Sequence, residues 1–132
     1  MKTFALLAAL AALVATPAIA ADNAAVAARY TPAFQTCLDS PDGQSTMGMV
    51  QCIGGELKVQ DAALNAAYRT LVADLTPDQR GGLQKAQRAW IAFRDADCAS
   101  RYSPDWGSMS TINANFCILR RTVERTVELE DF

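Results

Sequence analysis

The chain has 132 residues, with 12 basic and 14 acidic side chains and no histidine. A net charge of −2 excludes the concentrated basic face that nucleic acid requires. The missing imidazole excludes Ser-His and Cys-His nucleophilic pairs.

The first residues read as an export signal. Lys2 gives a positive start, residues 4–14 an apolar run, and Ala18-Ile19-Ala20 a small-x-small cleavage site. The run is too short for a bilayer span of roughly 20 residues, and no cysteine stands at the cleavage point for lipid attachment. The expectation is a signal over residues 1–20, cleaved near Ala20, with no membrane anchor afterwards and a periplasmic or secreted location. Loss of Lys2 takes the net charge from −2 to −3, a mild acidity that would suit a cationic protein partner.

What remains is long enough for one compact domain and too short for two. Residues 21–36 read as a flexible lead-in and residues 37–132 as the folded domain. Within the lead-in, residues 21–30 are Ala-rich and weakly patterned. Thr31-Pro32 then looks like an N-cap with proline at the first helical position, opening a short turn that carries Phe34 and Cys37. Residues 39–45, DSPDGQS, are the strongest turn signal in the chain.

A first long helix is predicted over about 46–75, with Leu57, Leu64, Tyr68, Leu71 and Leu75 on one stripe. Gly54-Gly55 interrupts it at about 1 kcal/mol per glycine relative to alanine, so a kink or break there is allowed. Thr76-Pro77-Asp78-Gln79 restarts the helix with a capping box and an acid near the positive dipole end. The second helix runs over about 77–102 and is expected to bury Leu83, Ala86, Trp90 and Phe93. So short a connection predicts an antiparallel αα-hairpin. After the loop RYSPDWG, a third helix over about 110–129 presents Ile112, Phe116, Leu119, Val123 and Val127 as a stripe. No stretch alternates like a strand. The class is all-α, a small helical bundle.

Cys37, Cys52, Cys98 and Cys117 are an even set in an exported chain, which reads as two disulfides with three possible connectivities. A four-thiolate zinc site competes, but paired C-x-x-C spacing and histidine are both absent. No metal or cofactor is expected.

The hairpin register places Asp61 level with Ala92, near Arg94, and Asn65 level with Arg88. Asp61 also falls on the apolar stripe, so it is expected to be partly buried and to contact Arg94. Gln87 and Asn65 would complete a polar layer of Asp61, Asn65, Gln87 and Arg94. A recognition or catalytic cluster is one reading of this layer; a network that sets how the hairpin packs is the favoured one.

Three runs together resemble the lysozyme inhibitor LprI-like family. They are D-x-x-L-N-x-x-Y (Asp61, Leu64, Asn65, Tyr68), A-Q-x-x-W-I-x-F-R-D-x-x-C over residues 86–98, and T-x-x-R-T-x-E-L over residues 122–129. The likeness covers about residues 37–129. It implies a helical, disulfide-tied domain of the bacterial envelope and, for at least some members, inhibition of lysozyme. Members are often lipoproteins and usually carry paired glycines before the last cysteine; here that loop reads Trp106-Gly107-Ser108. The sulfur geometry admits more than one pairing. Cys37–Cys52 with Cys98–Cys117 needs the least rearrangement and suits the family pattern, with about 3 kcal/mol of stabilisation per loop.

Catalytic constellations are missing, and no enzyme is expected. Asp95 and Asp97 lie two apart on a helix and point to different sides, which suits a solvated face better than a glycosidase pair. Binding is the better reading. Tyr102, Asp105 and Trp106 put two aromatics and an acid on one proline-stiffened loop near a cysteine, a shape that can enter a partner cleft at low entropic cost. For Trp106 itself, the favoured reading folds it back as a lid on the bundle rather than into direct contact. The expected function is occlusion of lysozyme. A non-inhibitory envelope interaction domain with another partner is the alternative, and an enzyme comes third.

Overall fold

A computed structural model describes residues 24–132; the export signal expected over residues 1–20 lies outside them. Four helices carry the fold: α1 (Pro32–Asp39), α2 (Thr46–Asp74), α3 (Pro77–Ala99) and α4 (Ser108–Glu130). Short 3₁₀ turns at Asp42–Gln44 and Pro104–Trp106 sit in two of the connections, and residues 24–27 are helical as well. No strand occurs among the described residues. The protein is an all-α bundle tied by two disulfides, Cys37–Cys52 and Cys98–Cys117.

The helix starts follow from local chemistry. Thr31 caps α1 by accepting from the Phe34 N–H at 3.2 Å, and Ser45 caps α2 by accepting from the Gly48 N–H at 3.0 Å. Thr76 and Gln79 form the complete capping box at α3. Gly48 is a steric requirement, because a Cβ there would overlap the Asp42 carbonyl oxygen. The Gly54-Gly55 pair does not break α2, which runs unbroken through it; packing of the rest of the helix outweighs the propensity cost.

The expected α2–α3 hairpin is present, but the main packing is made by α4. Cys52 and Ile53 of α2 cluster with Ile112, Leu119 and Val123 of α4, while Leu64 meets Leu129. These two helices therefore run parallel, and they form the densest pairing in the molecule. Helix α3 runs antiparallel to α2, as expected, with residues 61–68 and 84–94 flanking one groove. It is also tied to α4: Gln87 accepts from Arg125, Arg94 donates to Thr122, Asp97 accepts from Arg121, and Cys98 is bonded to Cys117. Leu71, Leu75 and Leu83 do converge at the turn. Beyond it, the two helices stand on either side of an open groove, and few of their backbone positions come close. A short connection constrains only the ends it joins, and α4 takes the central place.

Helix α4 can do so because its inner face is small as well as apolar. Thr122 and Thr126 are fully buried, and each hydroxyl is satisfied by a carbonyl of the preceding turn, Ile118 at 2.8 Å and Thr122 at 3.0 Å. Facing them, α2 buries Cys52, Glu56, Gln60 and Leu64, four positions spaced by one turn. Glu56, 4% exposed, accepts from the Thr31 N–H at 2.9 Å, the Thr31 hydroxyl and the Gln60 amide at 2.7 Å. Buried polar groups tolerate that environment only when partnered in this way.

Other expected core positions shift accordingly. Leu83 is buried, but Trp90 is half-buried, Ala86 is exposed and Phe93 is 57% exposed. On α4, Ile112, Leu119 and Val123 are buried, whereas Phe116 is exposed and Val127 half-buried. Within the segment expected to be a flexible lead-in, residues 24–27 are helical and mostly exposed, with Val26 buried. Val26 and Phe34 join the core, and Arg29 pairs with Glu130 at the far end of α4.

Candidate functional site

The loop after α3 is fixed at the backbone and open at its side chains. Its 3₁₀ turn is capped by Ser103, whose hydroxyl accepts from the Asp105 N–H at 3.3 Å. The buried Ser110 hydroxyl donates to the Ser103 and Gly107 carbonyls, both at 2.8 Å. Gly107, at φ 69°, turns the chain into α4 through a backbone region that side chains disfavour. The Cys98–Cys117 bridge, with Cα atoms 5.4 Å apart, holds the two helices that flank the loop. On this frame Tyr102 is 53% and Trp106 67% exposed, and Asp105 is exposed too. Trp106 therefore does not fold back as a closed lid.

Trp106 borders an open depression of about 660 Å³ whose other lining includes Arg101, Asn113, Phe116, Arg120 and Arg121. Sequence reasoning passed over these residues, although Arg101 abuts the loop and Arg120-Arg121 is a visible basic doublet. Charges here are shared unevenly. One carboxylate oxygen of Asp97 serves both Arg121 at 3.2 Å and Arg101 at 3.5 Å. Burial works against the Arg121 charge, but hydrogen bonds and attraction from Asp97 and Glu124 outweigh it, so its pKa is raised. Among the described residues, Asp97, Cys98 and Cys117 are the one grouping of potential metal-ligating atoms. Both sulfurs are consumed in the disulfide, so no thiolate is available there.

The expected polar layer is not a layer. Asp61 and Asn65 are exposed and bond to each other within α2, at 3.3 Å. Arg94 pairs instead with its neighbour Asp95 at 2.8 Å and donates to Thr122 at 3.3 Å. Gln87 accepts from Arg125 at 3.0 Å. The reason is the interposed α4: α3 sends its polar groups to that helix, and Asp61 is left facing solvent. All four residues nonetheless line one open groove of about 300 Å³ between α2 and α3, together with Leu64, Tyr68 and Ile91. The Trp90 ring has the guanidinium carbons of Arg94 and Arg125 at 5.2 and 5.9 Å from its centroid.

The motif residues thus fall in three places: the groove, the disulfide-braced end of α3, and the inner face of α4. A family model described as lysozyme inhibitor LprI matches residues 37–129. The chain belongs to the LprI family. The matched span begins at the first cysteine and closes on the α4 stripe, so the LprI domain contains both disulfides, the groove and the loop. A relative from Rhizobium meliloti (strain 1021), described as uncharacterized protein R02472, is 33% identical over 101 residues. That match covers 66% of this chain and 73% of the relative. No solved structure gives a significant match. No helix among the described residues is long and apolar enough to cross a membrane.

Proposed function

We propose that the protein is an exported binding protein of the bacterial envelope that inhibits lysozyme by occluding its sugar-binding cleft. Membership of the LprI lysozyme inhibitor family carries the reading. The loop geometry supplies a means. Tyr102 and Trp106 project two rings from a backbone already fixed by Ser110 and the adjacent disulfide, so little ordering remains to be done on binding. Asp105, at the tip, would meet the cationic rim of a muramidase. Two disulfides support a location outside the reducing cytosol, periplasmic or secreted.

The test is a cell-wall lysis assay. The disulfide-bonded chain without residues 1–20, added in molar excess, is expected to slow lysis by at least one lysozyme class. Trp106→Ala is expected to weaken that inhibition by about tenfold or more, as for an aromatic anchor. Unchanged lysis rates with every class tested would refute the proposal.

A second reading rests on the groove between α2 and α3. Asp61, Asn65, Tyr68, Gln87 and Arg94 face an open cleft, which would suit an envelope interaction domain with a different partner and no inhibitory activity. Substitutions there that abolish capture of a periplasmic protein, while leaving lysis inhibition intact, would favour it.

A further inference from the structure

We infer that Arg101 is the charged anchor of the occluding surface and pairs with a carboxyl group inside the muramidase cleft. The inference rests on the occlusion reading and names the chemistry by which that same loop would engage its target.

Three observations carry it. Arg101 sits at the foot of the aromatic loop and lines the same depression as Trp106, so the cation and the ring belong to one contact surface. Its side chain is 48% exposed, and its tie to Asp97 is long, at 3.5 Å. Exposed pairs of this kind contribute little. Asp97 keeps Arg121 at 3.2 Å, so releasing Arg101 to a partner leaves no stranded acid behind. Arg121 is held by Glu124 as well, at 3.2 Å, so Arg101 can leave Asp97 without disturbing the charges around it.

The partner chemistry then follows. Glycoside hydrolases generally cut with a pair of carboxyl groups flanking the scissile bond. A cleft built for sugars also accepts flat rings, which Tyr102 and Trp106 present. A guanidinium carried in beside those rings would find an anion in a water-poor setting, where a forked, charge-assisted pair is strong. A lysozyme is cationic overall, which opposes an arginine at long range. The net acidity of this chain and the exposed Glu130 and Asp131 at the end of α4 would offset that during approach.

A double-mutant cycle tests the pairing. Binding of the wild-type chain and of Arg101→Gln is measured by calorimetry. The probes are a c-type lysozyme and the same enzyme with its cleft glutamic acid changed to glutamine. Arg101→Gln is expected to weaken binding to the unmodified enzyme by about thirtyfold or more, and to the amide form by less than about threefold. Equal losses against both enzymes would assign Arg101 a merely structural role, and no loss against either would exclude it from the interface. Both results overturn the inference. If Trp106→Ala still abolishes binding in those cases, occlusion stands and only the role of Arg101 falls. Failure of the wild-type chain to bind any lysozyme, with its melting curve intact, would remove both.

Discussion

Helices α4 and α3 are equally long, 23 residues each, yet they are held in opposite ways. Helix α4 buries eight residues and is covered along most of its length. Helix α3 buries only Leu83 and Cys98, one near each end. Between those points it is carried by the half-buried Trp90, packed against the Leu64, Leu83 and Leu129 cluster, and by polar and cation–π contacts with Arg121, Thr122 and Arg125. The lesson is that one chain has separated its stabilising tasks. The parallel α2–α4 pair supplies the apolar core, and α3 is an outrigger clipped to it by sulfur. Both candidate surfaces, the loop and the groove, lie along that outrigger. Interaction surfaces are commonly drawn from the less buried parts of a fold.

The sharpest way to break this comparison is to cut equivalent volume from the two helices. Leu119→Ala, at a position with no exposure, is expected to cost about 3 kcal/mol in urea unfolding, in the range for cavities in a packed core. Phe93→Ala removes a larger side chain from the middle of α3 and is expected to cost about 0.5 kcal/mol. Comparable losses at the two sites would show that α3 is as much a part of the core as α4.

Next in size is the clip itself. Replacing Cys98 and Cys117 together by alanine opens a loop of sequence separation 19 and is expected to cost about 3 kcal/mol. The comparison adds a spatial expectation. Amide exchange should rise along α3 and the loop at Tyr102 to Gly107, while protection in α2 and α4 persists. Uniform loss of protection would mean that the molecule opens as one unit. The smaller ties can be probed in the same way. Gln87→Ala removes one hydrogen bond to Arg125, which keeps Glu128 at 2.8 Å. About 1 kcal/mol or less is expected.

The sequence made the helices readable and the assembly much less so. Caps at Thr31 and Thr76 and the break between α2 and α3 are local chemistry, and they stand where the residues place them. Helix α3 ends at Ala99 rather than about 102, and α4 starts at Ser108 rather than about 110. The disulfides were narrowed by family pattern and chain economy rather than by any local signal. The close pairing of α4 with α2 is not readable in the sequence, because periodicity ranks side chains by apolarity. By that ranking Phe93 and Phe116 belong to the core, and Thr122 and Thr126 do not. In fact the threonines face inward, since a hydroxyl that bonds its own helix buries cheaply and takes little room. The ridge of Cys52, Glu56, Gln60 and Leu64 was readable in spacing, but its two polar members hid it. Of the surfaces, the loop was visible from composition, and its rings are exposed. Arg120 and Arg121 beside it are not visible in that way, because they come from the middle of α4, well past the loop in sequence.

The smallest expected effect concerns Tyr30, on the close-packed side of the comparison. Its ring packs on Phe34 at 5.6 Å and Phe116 at 6.1 Å between centroids. Burial pushes its phenol pKa up, against an opposing pull from Arg120 and with further pushes from Glu124 and Glu56. The folded state thus favours the neutral phenol. That preference contributes stability that is complete below the unfolded value of about 10 and is lost as pH rises through the higher folded value. Urea midpoints of the wild type should therefore fall above about pH 10 more steeply than those of Tyr30→Phe, whose ring keeps the packing but cannot ionise. In a Tyr68→Phe/Tyr102→Phe background, Tyr30 is the single phenol, and its ultraviolet titration reports the folded value directly. A midpoint at or below that of an unstructured tyrosine would show that this corner of the α2–α4 core is wetter than its packing implies, and would weaken the contrast with α3.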